Sequence, residues 1–376
     1  MIHRVATLVL VAALVSSAAV SAAPAEDIDG NIVFARGTAL LKADPRGKTE
    51  TTIATLPAKA AVRALRTDAA GKILLADVGG TWSWMPLDGS TKTLTDLPCD
   101  AGPAQLGEDG LCVLCRAKEG RSIIVNLKTG KVTPVDVPAG GRIAGVGADR
   151  KLVWADKTAV WTASPADPKT KKQVAKQSPL RGFLPSPDGT HAVGVYSSEL
   201  YEGKRGSKNT RPAELLMVFA LDGEGARRKT IQSGVPVEWS HDGGWVLVQD
   251  RSSACIMFAA GGEYKCWRGY TAASIAPDGK YALLLGNRDK HSDKPKKKKK
   301  KGKKGKKEKE APPEEEEASG EPVDAEHGPE DVAADEVPVE LPKGPLSLYR
   351  AELSGPYALS PRLVEKLVDG AAVWIP

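Results

Sequence analysis

Ser186-Pro-Asp-Gly189 before His191-Ala-Val-Gly-Val-Tyr196, Ser240-His-Asp-Gly243 before Trp245-Val-Leu-Val248, and Ala276-Pro-Asp-Gly279 before Tyr281-Ala-Leu-Leu-Leu285 are three copies of one pattern. Each is an Asp-Gly turn followed by a short apolar run. Looser copies lie upstream: Thr67-Asp-Ala-Ala-Gly71 before Lys72 to Asp77, Glu108-Asp-Gly110 before Leu111 to Cys115, and Ala148-Asp-Arg-Lys151 before Leu152 to Ala155. The aspartates fall at 68, 109, 149, 188, 242 and 278, in steps of 41, 40, 39, 54 and 36 residues. A period near 40, with aliphatic and β-branched runs and Asp-Gly turns, predicts one four-stranded propeller blade per repeat.

Each unit divides alike. The fifth has strands around Gly182 to Pro185, His191 to Tyr196, Glu214 to Leu221 and Arg228 to Gln232. The sixth has Pro236 to Trp239, Trp245 to Gln249, Ala254 to Phe258 and Tyr264 to Arg268. The long step of 54 is read as an extra loop, Ser197 to Pro212, between the second and third strands. Near the start, Asn31 to Ala35, Ala39 to Asp44 and Thr51 to Leu56 read as second, third and fourth strands with no first. At the other end Gly370-Ala-Ala-Val-Trp-Ile-Pro376 resembles Gly234-Val-Pro-Val-Glu-Trp-Ser240 and can supply the missing strand, closing the ring and removing an open edge. The fold expected is therefore all-β, a seven-bladed β-propeller over 27–286 and 344–376, with six or eight blades as the alternative counts. Pro57 to Arg66 has good helix propensity but occupies a first-strand position, and the repeat decides for strand.

The Pro-Asp-Gly turns, with Leu87-Asp-Gly89 and Leu221-Asp-Gly223 after third strands, resemble the TolB-like β-propeller repeat. The resemblance covers nearly all of the chain outside one insert and implies fold rather than function. TolB itself carries a further α/β domain before its propeller, usually of six blades, whereas here strand-like sequence begins within a few residues of the expected signal, and its partners are not carried over.

Composition fits such a ring. In 376 residues there are 38 Gly and 27 Pro, and 41% hydrophobic residues suffice for a core. Met1 to Arg4, an apolar run from Val5 to Val15 and small residues to Ala25 read as a secretory signal peptide over 1–22, cut after Ala22 or alternatively after Ala25. The apolar run is about half the roughly 20 residues of a membrane span, and no later segment reaches that length, so the expected location is periplasmic or secreted, with no transmembrane segment after signal removal.

That compartment permits disulfides. Cys255 and Cys266 lie symmetrically about Ala259-Ala-Gly-Gly262, so a tight hairpin sets them face to face at bridging distance. Cys99, in a link between blades, falls near the strand end that carries Cys115, and this pair is the preferred second bridge. Cys112 is then a free buried thiol. A metal site at Cys112-Val-Leu-Cys115 is disfavoured because an odd separation along a strand points the two side chains to opposite faces. No metal is expected.

The +6 net charge, from 53 Lys and Arg against 47 Asp and Glu, is unevenly placed. Residues 287–343 hold Lys296, Lys297, Lys298, Lys299 and further lysines, then an acidic, Pro-rich half with Glu314 to Glu317. From Arg288 to Lys343 there are 15 Lys and Arg against 16 Asp and Glu, with few aliphatic residues, which predicts a disordered insert. The insert and the shorter basic loop with Lys204, Arg205, Lys208 and Arg211 both join a second strand to a third, so both emerge at one end of the ring. Loops on a rigid scaffold commonly carry function, and that end is the expected binding face.

No nucleophile elbow, zinc-protease, P-loop or dinucleotide motif is present, and no cofactor is expected. His191 and His241 read as structural or surface residues, and Asp188, Asp242 and Asp278 as turn caps. The eight tryptophans, among them Trp82, Trp239 and Trp374, read as packing between blades. The leading expectation is a monomeric, noncatalytic scaffold for an envelope protein or anionic polymer, with no specific nucleic acid. The alternative is a glycan lyase or hydrolase whose site lies in the channel, marked by carboxylates, His or Tyr converging on one mouth.

Overall fold

The computed structural model describes residues 28–58, 60–138, 140–146, 149–201, 210–222, 228–229, 234–260, 264–287, 346–353 and 361–376. Within them the chain forms strands only. Blade one holds β1 (Asn31–Arg36), β2 (Ala39–Ala43) and β3 (Glu50–Thr55). Blade two holds β4 (Val62–Thr67), β5 (Ile73–Val78), β6 (Thr81–Pro86) and β7 (Thr95–Asp96). Blade three holds β8 (Gln105–Leu106), β9 (Cys112–Arg116), β10 (Ser122–Asn126) and β11 (Val132–Val135). Blade four holds β12 (Arg142–Ala144), β13 (Lys151–Ala155), β14 (Val160–Ser164) and β15 (Asp167–Ala175). Blade five holds β16 (Arg181–Pro185), β17 (His191–Tyr201), β18 (Thr210–Ala220) and β19 (Arg228–Lys229). Blade six holds β20 (Val235–Trp239), β21 (Trp245–Asp250), β22 (Ser253–Phe258) and β23 (Tyr264–Arg268). Blade seven holds β24 (Tyr270–Ile275), β25 (Tyr281–Asn287), β26 (Leu346–Glu352) and β27 (Arg362–Val368), and β28 (Ala372–Ile375) follows.

These strands form seven four-stranded antiparallel sheets, and the sheet of blade one runs β28-β1-β2-β3. The C-terminal strand is thus the innermost strand of the first blade, with Ile32 opposite Trp374 and Val33 opposite Val373. Backbone geometry makes this seam tight. Gly30 (φ +89°) and Gly370 (φ +92°) lie in the left-handed region, and a Cβ on them would fall 2.4 Å from the Ile375 carbonyl oxygen and 2.1 Å from that of Val62. On the outside, Arg36 binds Glu50 of blade one at 3.0 Å and Glu365 of blade seven at 2.8 Å.

The core is seven cores, one between each pair of neighbouring blades. Ile32, Phe34 and Trp374 of blade one pack with Leu283 and Leu348 of blade seven. Val33 and Leu40 of blade one pack with Leu65, Leu74 and Met85 of blade two on the other side, and so on round the ring. The tryptophans serve this packing as expected. Trp374 stacks on Tyr281 with centroids 6.0 Å apart, and Trp239 of blade six donates from Nε1 to the Leu184 carbonyl of blade five at 3.1 Å.

Residues 62–67, for all their helix propensity, form β4, with Val62 opposite Val78 and Leu65 opposite Ala76. Burial of Val62 and Leu65 in the ring outweighs the local preference. The extra length in blade five is not a plain loop over Ser197 to Pro212. The hairpin itself continues, with Ser197 opposite Glu214 through to Tyr201 opposite Thr210, five pairs beyond the expected strand end. Among the described residues no helix is long and apolar enough to cross a membrane.

Candidate functional site

Alternating strand direction gives the ring two ends. Second-to-third strand connections and the links between blades emerge at one, here the link face. First-to-second and third-to-fourth turns emerge at the other, the turn face. The β17–β18 hairpin and the connection from Asn287 to Leu346, which pair directly with each other, both leave from the link face. Arg211 sits on β18 opposite Leu200. Lys204, Arg205, Lys208, Lys296, Lys297, Lys298 and Lys299 lie outside the described residues.

Both disulfides form as read from the sequence. Cys99 bridges to Cys115, pinning the link between blades two and three, and Cys255 bridges to Cys266 within blade six. Cys112 is free and buried. Arg150 donates from Nη1 to its Sγ at 3.3 Å while Nε pairs with Asp109 at 3.1 Å. Burial pushes the Cys112 thiol above its usual range, overriding the nearby guanidinium, so it stays protonated and unreactive.

The turn aspartates cap their own loops. Asp188 accepts from the Thr190 amide at 3.0 Å, Asp242 from Gly244 at 2.9 Å and Asp278 from Lys280 at 3.0 Å. Among the described residues no group of three His, Cys, Asp or Glu could hold a metal ion.

The chemistry lies at the mouth of the channel on the turn face. On three of the innermost strands, the residue two before the turn reaches to the next blade. Gln105 accepts from the Ile143 amide and donates to the Ile143 carbonyl, each at 2.7 Å. Glu238 accepts from the Ile275 amide at 2.8 Å, and the Ser274 hydroxyl accepts from the Trp374 amide at 3.3 Å. These are clasps between blades three and four, six and seven, and seven and one. Glu238 differs in being ionisable. Desolvation raises its carboxyl to about 7, only partly countered by the Ile275 amide, His241, Ser274 and Arg66.

His241 sits at the turn position held by Pro187 and Pro277 in blades five and seven, and Glu108 holds it in blade three. Their side chains meet across the mouth, His241 Nδ1 lying 3.5 Å from Glu108 Oε2. The Glu108 carboxylate, with help from Glu238 and Asp68, raises the His241 imidazole above its usual value despite burial. Blades two, three and six thus bring Arg66, Asp68, Glu108, Glu238 and His241 to one place. A carboxyl near 7 beside an imidazole held up by carboxylates can exchange a proton at neutral pH. The sequence expectation left these residues out of any site and took His241 as a structural or surface residue. The signal was present: aligning the turns sets Glu108 and His241 in register with prolines, and Arg66, Gln105, Glu238 and Ser274 in one column.

In fold the chain is a seven-bladed β-propeller of four-stranded blades. Solved structures that it is similar to include TolB from Acinetobacter baumannii, at 14% identity over 63% of this chain and 65% of that chain, with a TM-score of 0.42. A protein assigned as TolB from Agrobacterium tumefaciens matches at 12% identity over 64% and 89%, with a TM-score of 0.41. An oligogalacturonate lyase in complex with manganese matches at 14% identity over 66% and 79%, with a TM-score of 0.47. The chain therefore spans just under two thirds of the Acinetobacter protein, and these likenesses concern fold alone. No protein-family model and no curated protein sequence matches.

Proposed function

We propose that the chain is an exported, noncatalytic propeller scaffold that binds an envelope protein or an anionic polymer through its link face. The observation that carries this reading is that the projecting β17–β18 hairpin and the long connection after Asn287 leave from the same end of the ring. Their sequences hold Lys204, Arg205, Lys208 and Arg211, and the run from Lys296. Basic side chains on long connections suit polyanion contact, which weakens with salt. Two disulfides fit an oxidising compartment, and export would be read from the mature N-terminus, expected at Ala23. The test is retention of envelope-fraction components by the mature chain across a salt series. Removing Asp289 to Pro342 and neutralising the four loop cations is expected to abolish salt-sensitive retention. Unchanged retention by that variant overturns the proposal.

The channel mouth favours a second reading, a lyase or hydrolase acting on a glycan, because Glu238, His241 and Glu108 form an acid–base set. Turnover of an oligosaccharide panel that is lost in Glu108→Gln and His241→Ala would establish it. The Glu238 carboxylate already has a clasping role, so the scaffold reading is the one adopted.

A further inference from the structure

Six large apolar side chains are exposed among the described residues, and five of them lie on the turn face: Leu111, Val132, Val146, Phe258 and Leu363. Only Leu180 is at the link end. Single exposed apolar residues are ordinary, but their gathering at one end of a ring is the mark of a contact surface. They fall in two groups. Leu111 and Val132 belong to blade three and Val146 to the turn of blade four, with Leu111 and Val146 44% and 51% exposed. Phe258 of blade six leans on Trp245 with ring centroids 5.0 Å apart, and Leu363 begins the outer strand of blade seven. The Glu108–His241 contact joins blades three and six across the mouth, so the two groups flank it.

Charge on the same face is acidic in balance near the axis. The six inner turns, residues 68–72, 107–111, 145–151, 186–190, 240–244 and 276–280, carry seven Asp and Glu against four Lys and Arg. Every blade from two to seven contributes: Asp68, Glu108, Asp149, Asp188, Asp242 and Asp278. Glu238 and Arg66 lie just inside them, one acid and one cation, so the turns set the balance. Acidic polymers and nucleic acids are repelled by such a centre, and a second copy docking face to face would set carboxylate against carboxylate. A cation with apolar neighbours fits it.

We propose that the turn face docks a protein segment carrying lysine or arginine beside apolar side chains, its cation seated at the channel mouth beside Glu108 and its apolar residues on Leu111, Val146 and Phe258. This surface is separate from the link face, so the two proposals stand or fall independently, and together they make the ring an adaptor with ends of opposite preference. The surface is tested by selecting a phage-displayed random 12-residue peptide library on the immobilised mature chain, then measuring the enriched peptides by fluorescence polarisation. Enriched sequences are expected to pair Lys or Arg with Leu, Phe or similar residues and to bind less tightly as salt rises. Affinity should fall at least fivefold in Glu108→Gln and in Val146→Ser with Phe258→Ser, each shown to melt as the parent does. It should be unchanged in the link-face variant Lys118→Ala with Arg121→Ala. Failure of any peptide to enrich over a control protein overturns the proposal. So does enrichment of acidic peptides, or binding indifferent to Val146→Ser with Phe258→Ser.

Discussion

Replacing Glu238 by Gln is expected to stabilise the protein at pH 8 and leave it unchanged near pH 4.5. The native carboxyl is raised from 4.5 to about 7 because burial disfavours its charge. Between those values the folded chain keeps a proton that the unfolded chain has released, so stability falls as pH rises through this window and levels off above it. At 1.36 kcal/mol per unit, the loss is about 3 kcal/mol. Gln cannot ionise, yet its Oε1 can still accept from the Ile275 amide. Gln105 makes the same clasp to Ile143 three sheets away in the ring. At about 2 °C per kcal/mol for a domain of this size, the variant should melt about 6 °C above the parent at pH 8. A decline should remain in the variant above pH 6.5. The His241 imidazole is raised by Glu108, and the stability it confers is present below its ordinary value and lost as pH rises through its folded one. Differential scanning calorimetry at pH 4.5, 6 and 8, on parent and variant, decides the matter. Parallel melting curves across that range, or a variant less stable at pH 8, would refute a buried, titrating Glu238.

Trp374→Ala removes a fully buried ring from the closing strand and is expected to cost about 3–5 kcal/mol, read from the urea midpoint; a loss below 1 kcal/mol would mean that β28 is not part of the core. Replacing both Cys99 and Cys115 by Ser opens a link of 16 residues and should lower stability by about 3 kcal/mol, again by urea titration. In the native protein a thiol reagent such as DTNB should find no reactive cysteine, and in denaturant without reductant it should find one, Cys112; a fast native reaction would contradict its burial.

The ring was legible because the repeat speaks through spacing rather than through any single element. Turns at 188, 242 and 278 and the match of 370–376 to 234–240 were enough to place β28 beside β1, although no propensity marks Ala372 to Ile375 as a closing strand. Arithmetic of the same sort paired Cys255 with Cys266, since register in a hairpin is set by sequence distance. The blade-five hairpin extends beyond Tyr196 unannounced because Ser197 to Tyr201 lacks the apolar run that marks the rest of β17, and pairing there follows from continuing an existing ladder. The channel mouth was hidden for a different reason. Glu108 and His241 are 133 residues apart and meet only because blades three and six face each other across the ring. Their types are ordinary for surface turns, and it is convergence at the axis that desolvates them.

Closure by the last strand also has a consequence in time. Asn31 pairs with Ile375, so the first blade waits for its innermost strand until the rest of the chain has been made. At 5–20 residues per second, synthesis of the intervening residues takes roughly 20–70 s. Through that interval β1 presents a bare hydrogen-bonding edge of the kind that templates pairing with other chains. A newborn copy is therefore most vulnerable at its oldest end, and what shields residues 31–36 until the final turn arrives will govern how much of the protein is recovered.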